Sequence, residues 1–380
     1  MGRMPLMAFC CLLTACAKPQ PAVVVHPAGE VPEQLSAWGV VLSDGKYLEL
    51  NASVLTYELN TPLFTDYAMK LRTVWMPPGA AAVYDANIEF DFPVGTIISK
   101  TFHYEKAAGW TETSRKVVGQ ERDATLDGKG RLDLENVTLI ETRLLVRYED
   151  GWKAFPYVWN AKQTEAWLEV AGEVRNLTLV DDSGELDFLY VVPDSNQCAA
   201  CHAPNHTDAD IRPIGLKARH LNRSQQIERW LQNDVLIGVE GEIPAAASWR
   251  EPASATLAER ARAYLDINCA HCHNSAGAAD TSGLHLNSDA PLDRNFGLCK
   301  SPTAVGQGSG DRMYDIDPGQ PDKSIMIFRM DHTDPAIAMP ELGRSTVHAE
   351  GVSLIAEWIG SLEGDCEIER AGNTSQGWNT

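Results

Sequence analysis

The sequence predicts an α+β protein of several domains: an N-terminal all-β sandwich-like domain, a short cysteine-containing segment, and a helical C-terminal domain. Three observations lead to this class. Apolar and polar residues alternate from about residue 34 to 190, as in half-buried strands. The apolar spacing becomes helical from residue 251. The pattern Cys-X-X-Cys-His occurs twice, at 198–202 between these two regions and at 269–273 within the helical one. At 380 residues the chain is long enough for two or three hydrophobic cores.

The N-terminus has the features of an export signal. Residues 1–15 contain one arginine and an apolar run too short to span a bilayer as a helix. The stretch "LTAC" at 13–16 resembles the bacterial lipobox, which implies cleavage before Cys16 and lipidation of that cysteine; a secretory signal without lipidation is the alternative. Residues 16–33 are rich in proline and alanine and are predicted to be a tether. The expected location is therefore outside the cytoplasm, lipid-anchored on the periplasmic side of the outer membrane or on the cell surface.

The predicted β-rich domain shows clear two-residue periodicity. Ile140 and Leu144 fall on one face of a predicted strand, whereas Glu141 and Arg143 fall on the other, and residues 88–92 alternate in the same way. Turn sequences such as "LDGKG" and "DDSGE" separate the strands. The tryptophans of this region suit a sandwich core, with a sugar-stacking surface as the alternative.

The two Cys-X-X-Cys-His motifs predict covalent attachment of two haem c groups. Thiols three residues apart on a helical turn face the same way, so both can form thioethers with one porphyrin. The adjacent histidine then becomes an iron ligand. There are two rival interpretations: a zinc ion bound by the two CxxC pairs, and a redox-active dithiol. Neither of them needs the histidines. The predicted cofactor-binding residues are Cys198, Cys201 and His202 in the first motif and Cys269, Cys272 and His273 in the second.

The region 251–366 resembles a small class I cytochrome c. The stretch "ATLAERARAYLDINCAHCH" predicts an amphipathic helix running into the second motif, and "EGVSLIAEWIGSL" predicts a last helix. Between them a loop carries Met339-Pro340, so Met339 is the expected sixth ligand of the second iron. Met326 and Met330 fall within an apolar helical pattern and are predicted core residues.

The first haem module, residues 191–250, is less regular, and its haem is expected to pack between the β-rich domain and the C-terminal domain. His220 follows the first motif at a distance that allows the chain to pass to the other side of a porphyrin, so we predict ligation of the first iron by His202 and His220. His206 is too close to His202 for this role. The alternatives are Met69, Met76 or His103 from the β-rich domain, or an open iron position.

Cys299 and Cys366 have no expected haem or lipid role. An oxidising compartment favours their pairing, and the disulfide would close a loop of about 67 residues, which the chain-entropy model values at roughly 4 kcal/mol. Two unrelated buried thiols are the alternative.

Several stretches resemble a bacterial family of dihaem c-type cytochrome lipoproteins of unassigned physiological role. The resemblance covers most of the chain after the signal and is carried by "TPLFTDYAMKLRTVWMPPG", "FPVGTIISKTF", "YVVPDSNQCAACH", "PIGLKARHLNR" and "YLDINCAHCH". From the residue patterns we expect an α+β multidomain protein with a haem-binding segment at 191–250, a helical class I cytochrome c domain at 251–366 and a flexible tail at 367–380. The resemblance, which covers most of this chain, implies haem binding and electron transfer.

An electron carrier is the favoured interpretation, rather than an enzyme. A dihaem peroxidase-like protein with one open iron is the rival, and a β-rich domain that binds a substrate oxidised by the haems is a third possibility. The net charge of -20 argues against nucleic acid as a partner and favours a redox partner with a basic docking patch. Contact with the membrane is expected through the lipid anchor only.

Overall fold

The computed structural model describes residues 20–366, apart from Glu121, His206, Asp208, Ala209, Ala304 and Val305. The predicted signal peptide, the lipidation site Cys16 and the tail 367–380 therefore lie outside the described residues. No described helix is long and apolar enough to cross a membrane.

The N-terminal half of the structure consists mainly of strands, and most of the helices follow residue 196. The strands are β1 (Val41–Ser43), β2 (Tyr47–Leu50), β3 (Leu55–Thr56), β4 (Met69–Trp75), β5 (Ala82–Val83), β6 (Ile97–Glu105), β7 (Lys116–Val118), β8 (Arg131–Asp133), β9 (Val137–Tyr148), β10 (Gly151–Trp159), β11 (Ala166–Leu168), β12 (Glu173–Asp181), β13 (Gly184–Val192) and β14 (Leu236–Ile237). The α-helices are α1 (Gln197–His202), α2 (Ala218–Leu221), α3 (Gln226–Gln232), α4 (Leu257–Asn268), α5 (Ile325–Met330) and α6 (Ala349–Gly360).

A six-stranded antiparallel sheet organises the β-rich part, in the order β11-β10-β9-β6-β4-β3. Its longest strand, β9, forms a hairpin with β10 whose tight turn ends at Gly151, where φ is 122°, a region that favours glycine. One face of the sheet packs a core that includes Trp38, Leu71 and Tyr157. The indole of Trp38 donates a hydrogen bond of 2.7 Å to the hydroxyl of Tyr157, so this core also satisfies its polar atoms.

Two three-stranded sheets, β1-β2-β8 and β13-β12-β7, flank the large one. The hairpin of β12 and β13 buries Leu177, Leu179, Phe188 and Tyr190 against the opposite face of the large sheet. The β-rich domain is thus an arrangement of layered sheets whose second layer ends close to the first Cys-X-X-Cys-His motif.

The segment after the first motif packs directly on the β-rich part. Leu216, Leu221, Ile227 and Trp230 share one core with residues of the sheet, and β14 pairs in parallel with β5. The chain between the two motifs therefore forms a cover over the sheet, because its apolar residues are buried there.

The predicted helical class I cytochrome c domain is wrong. Among the residues that the structure describes, strands account for 26% and helices for 19%, and these residues form no helical domain of this class. In the C-terminal part α4 and α6 pack together through Tyr264, Leu265, Ile355 and Trp358, and α5 is only six residues long. Between α4 and α5 the described residues form turns and short 3-10 helices, because this stretch is rich in glycine, proline, serine and aspartate.

The predicted strand at 88–92 is also wrong. Phe90 and Phe92 are buried, but the segment makes only isolated bridges, one of them between Glu89 and Lys217. Its apolar residues pack against the covering segment that contains Leu216 and Trp230, and this contact replaces a strand partner.

Candidate functional site

The first Cys-X-X-Cys-His motif forms the helical turn α1, directly after β13. The side chain of Asp194 accepts hydrogen bonds from the backbone N–H groups of Asn196 (2.8 Å) and Gln197 (3.0 Å), which fixes the start of this turn. Cys198 and Cys201 lie three residues apart within it and so share a face.

The second motif begins where α4 ends. Helix α4 starts with a reciprocal capping box between Thr256 and Glu259 and ends at Asn268. The side-chain oxygen of Asn268 accepts a hydrogen bond of 2.8 Å from the backbone N–H of Phe64, so the end of the helix is tied to the β-rich part. The backbone N–H groups of Cys272 and His273 then both donate to the carbonyl of Cys269 and close the turn.

The structure brings the two motifs into contact through their second cysteines. The ligand atoms of Cys201, His271 and Cys272 all lie within 4.8 Å of one another. The thiol of Cys272 also approaches the carbonyl oxygen of Ala200, at 3.5 Å. Sequence reasoning missed His271, although the histidine between the cysteines of "CAHCH" was a visible signal.

The contact favours ionisation of one of the two thiols. A hydrogen bond from Cys272, together with His271, lowers the pKa of Cys201 to about 4. The same hydrogen bond raises the pKa of Cys272, with burial adding to the effect. The contact therefore favours ionisation of Cys201 over Cys272, and the thiolate is the reactive and metal-binding form of cysteine. Cys198, Cys201, Cys269 and Cys272 are all free thiols.

Both motif histidines are oriented for ligation through Nε2. His202 donates from Nδ1 to the carbonyl oxygen of Arg212 at 2.7 Å, since a carbonyl can only accept. The Nδ1 of His273 lies 3.0 Å from the hydroxyl oxygen of Ser282, whose own proton goes to the carbonyl of Ala279 at 2.6 Å. In both rings Nδ1 thus carries the proton, and the lone pair is on Nε2.

The same two imidazoles are neutral at pH 7. Burial, with the charge of Lys100 as the next cause, lowers the pKa of His202 to about 4. Burial also lowers the pKa of His273 to about 4, with His271 and Arg329 contributing. A neutral imidazole with its lone pair on Nε2 is the form that binds iron. Each motif therefore supplies two free cysteines and a neutral imidazole whose Nε2 is available.

The predicted sixth ligand His220 is buried elsewhere. Its side chain is 2% exposed, and its Nε2 lies 3.3 Å from a carboxylate oxygen of Asp266 on α4. Asp266 also binds Arg219, so these groups join the covering segment to the second motif's helix. Nδ1 is the ring atom without a hydrogen-bond partner. No contact between His220 and the first motif is recorded among the described residues.

The predicted sixth ligand Met339 lies in the loop after α5. Its backbone N–H donates to the carbonyl of Arg329 at 3.0 Å, and its carbonyl accepts from the guanidinium of Arg344 at 2.7 Å. Glu341, two residues after Met339, contributes to the raised pKa of Cys272, so this loop lies within electrostatic reach of the second motif.

Cys299 and Cys366 form a disulfide, which ties the last described residue to the loop that follows α4. Of the remaining ligand candidates, Met69, Met76 and His103 are buried in the β-rich part, with exposed fractions of 5%, 9% and 1%. His206 lies outside the described residues.

No protein-family model, no curated protein and no solved structure matches this chain. The functional argument therefore depends on the chemistry of the two motifs and on the residues that surround them.

Proposed function

We propose that the chain is a dihaem c-type cytochrome that transfers electrons outside the cytoplasm. The observation that carries the proposal is the matched arrangement of the two motifs: in each, free thiols precede a histidine whose Nδ1 is held by an oxygen acceptor, so that Nε2 is available. A single histidine whose Nδ1 is held by an oxygen acceptor is common in proteins. Two such histidines, each directly after a CxxC pair, favour haem.

In this proposal Cys198 and Cys201 attach one haem c and Cys269 and Cys272 attach the other, while His202 and His273 ligate the irons. Haem supplies one-electron redox chemistry when bound. The chain's own contribution is to fix the attachment points and to orient the imidazoles through Arg212 and Ser282. The attachment points at Cys201 and Cys272 are adjacent, which favours transfer between the two centres.

The sixth ligands remain proposals. We assign Met339 to the second iron, on the backbone contacts that hold its loop. We retain His220 for the first iron, with the condition that either Nδ1 is the ligating atom or the hydrogen bond to Asp266 is released.

Export and anchoring are part of the same proposal. Haem c is attached outside the cytoplasm, and the disulfide of Cys299 and Cys366 suits an oxidising compartment. Lipidation at Cys16 would hold the protein on the periplasmic side of the outer membrane or on the cell surface, in contact with the membrane through that anchor alone. The net charge of -20 suits a redox partner with a basic patch.

Redox-titrated absorption spectra of the purified protein test this function. Two c-type haems that are both six-coordinate support an electron carrier. A high-spin ferric haem that binds cyanide and turns over peroxide supports the enzyme alternative. A spectrum without porphyrin bands contradicts both.

The cluster of Cys201, His271 and Cys272 favours a second candidate function, a metal site that joins the two motifs. Two thiolate sulfurs and an imidazole nitrogen form a donor set typical of zinc. Metal analysis of protein made without haem attachment distinguishes the two candidates: one zinc per chain that is lost in His271→Ala supports the metal site. Protein that contains no zinc when it is isolated from the cell contradicts the metal site.

A further inference from the structure

Three basic residues form a row across the centre of the large sheet. Arg72 on β4 pairs directly with Lys100 on β6, and Lys100 pairs directly with Arg143 on β9. Directly paired residues of adjacent strands project from the same face, so the three cations are neighbours there. Like charges placed opposite each other are destabilising unless an anion compensates them.

The compensation inside the protein is incomplete. Arg72 is 4% exposed and pairs with Glu58 at 3.1 Å, but burial raises the pKa of Glu58 to about 7, so this carboxyl carries only part of a charge at neutral pH. Arg143 binds both carboxylate oxygens of the fully buried Glu141, at 2.8 and 2.6 Å.

Lys100 lies at the centre of the row without an ion-pair partner in the described part of the chain. The negative charge that it experiences is that of Glu141, which Arg143 and the hydroxyl of Tyr190 already bind. Burial, followed by the positive charges of Arg143, Arg72 and Lys70, lowers the pKa of Lys100 to about 7. The residue is nevertheless only partly buried, so part of it remains accessible from outside the sheet.

The strand that leads into the first Cys-X-X-Cys-His motif packs on this row, because Tyr190 on β13 donates to the carboxylate of Glu141 that Arg143 also binds, and α1 follows β13. The charge of Lys100 is the second cause of the lowered pKa of His202, and the charge of Arg143 opposes the rise in the pKa of the Cys198 thiol. Phe102, one row further along β6, lies beneath these cations, with its ring centroid 4.4 Å from Arg143 Cζ and 5.5 Å from Lys100 Nζ. The sheet thus supplies an apolar floor and a cationic row beside the predicted haem attachment site.

We propose that Arg72, Lys100 and Arg143 form a carboxylate-binding site that receives a propionate of the haem attached at Cys198 and Cys201. This inference rests on the proposed function and deepens it, because it assigns the charged edge of the first cofactor to a specific face of the sheet. Lys100 is a positioning residue in this account. The carboxylate of the propionate would compensate the unpaired charge of Lys100. Removing that lysine would leave the carboxylate beside the sheet with less positive charge to compensate it.

The test compares Lys100→Met with the wild-type holoprotein in a redox titration. Lys46→Met is the matched control, since it removes the same charge from an exposed turn of the same domain. Haem content by mass is measured first, because it tests the proposed function separately. With two haems present in all proteins, we expect Lys100→Met to lower the reduced-to-oxidised ratio of one haem about tenfold at a fixed ambient potential, the order expected when one partly desolvated cation is lost. The other haem and the Lys46→Met protein should be unchanged, and Lys100→Arg should restore the wild-type value.

Unchanged potentials in a fully loaded Lys100→Met protein would overturn the propionate assignment. If succinate then raises the unfolding temperature of the loaded wild type but not of Lys100→Met, the row binds a free carboxylate instead. A wild type without haem refutes the proposed function itself. If the row binds carboxylates, succinate should still raise the unfolding temperature of the haem-free wild type but not that of haem-free Lys100→Met. Equal shifts in the two proteins, or none, would refute carboxylate binding by the row as well.

Discussion

The imidazole of His220 and the carboxylate of Asp266 lie 3.3 Å apart, and both side chains are 2% exposed. Burial raises the pKa of Asp266, but the hydrogen bonds from His220 and Arg219 outweigh it and hold this pKa well below its usual range. Burial lowers the pKa of His220, the opposite of what an ion pair with Asp266 would do. We therefore describe the pair as a neutral imidazole donating to a charged carboxylate, with Arg219 as the counter-ion.

His220→Ala tests the predicted sixth ligand of the first iron. If His220 binds that iron, the variant converts one low-spin haem to high spin and leaves the other unchanged in its absorption spectrum. Asp266→Asn is the matched control, because it removes the carboxylate but keeps the imidazole. Both variants should be destabilised, by about 1–3 kcal/mol for a broken buried hydrogen bond to a charged group. A His220→Ala protein that is destabilised but has a wild-type spectrum would contradict ligation.

Met339→Ala should remove the thioether ligand of the second iron. The expected result is one haem that becomes high spin or takes up an external ligand, with the first haem unaffected. Met326→Ala is the control, because Met326 lies on α5 and packs on the C-terminal core. If Met326→Ala changes the spectrum and Met339→Ala does not, the assignment of the ligand is wrong.

The disulfide of Cys299 and Cys366 should stabilise the protein through the 67-residue loop that it closes. The double variant Cys299→Ser, Cys366→Ser is expected to lose about 4 kcal/mol of unfolding free energy in the chain-entropy model. Denaturant unfolding measures this loss, and alkylation without reduction should label neither cysteine in the wild type. Two labelled thiols at these positions would contradict the pairing.

His103 should make the stability of the protein fall in mild acid. Burial lowers the pKa of this imidazole to about 4, and Lys70 and Arg122 act in the same direction. An unfolded chain takes up the proton near pH 6.5, so the stability is complete above that pH and is lost as the pH falls from about 6.5 to about 4. The loss should reach about 3 kcal/mol.

The measurement for His103 is denaturant unfolding across this pH range. His103→Leu should show a shallower pH dependence than the wild type, whereas His285→Gln, which removes a histidine from the C-terminal part, should differ less. Identical pH profiles for His103→Leu and the wild type would show that another group controls the acid response.

The sequence predicted the elements whose signals are local. The turn between β12 and β13 follows from "DDSGE", and α4 follows from its apolar stripe. The helical cytochrome domain failed because two amphipathic helices say nothing about the chain between them, which forms turns.

The cationic row was missed for a different reason. Alternation in β9 was interpreted as one apolar face and one solvated face, yet Glu141 is fully buried. Tyr190 on β13 donates to Glu141 at 2.6 Å and covers this face, a contact between residues 49 positions apart. The predicted shared face of Ile140 and Leu144 is wrong, because the register shifts between Phe102 and His103 and Ile140 packs with Phe102 instead. Periodicity identifies the faces of a regular strand, and only the tertiary structure shows what covers each face.

The intact mass of the mature protein tests the central claim most directly. We expect a mass that exceeds that of the polypeptide by two haems and that survives denaturation, because the attachment is covalent. Cys198→Ala with Cys201→Ala, and separately Cys269→Ala with Cys272→Ala, should each remove one haem. A mature chain that carries zinc and no porphyrin, with all four motif cysteines free after the metal is removed, would contradict the account.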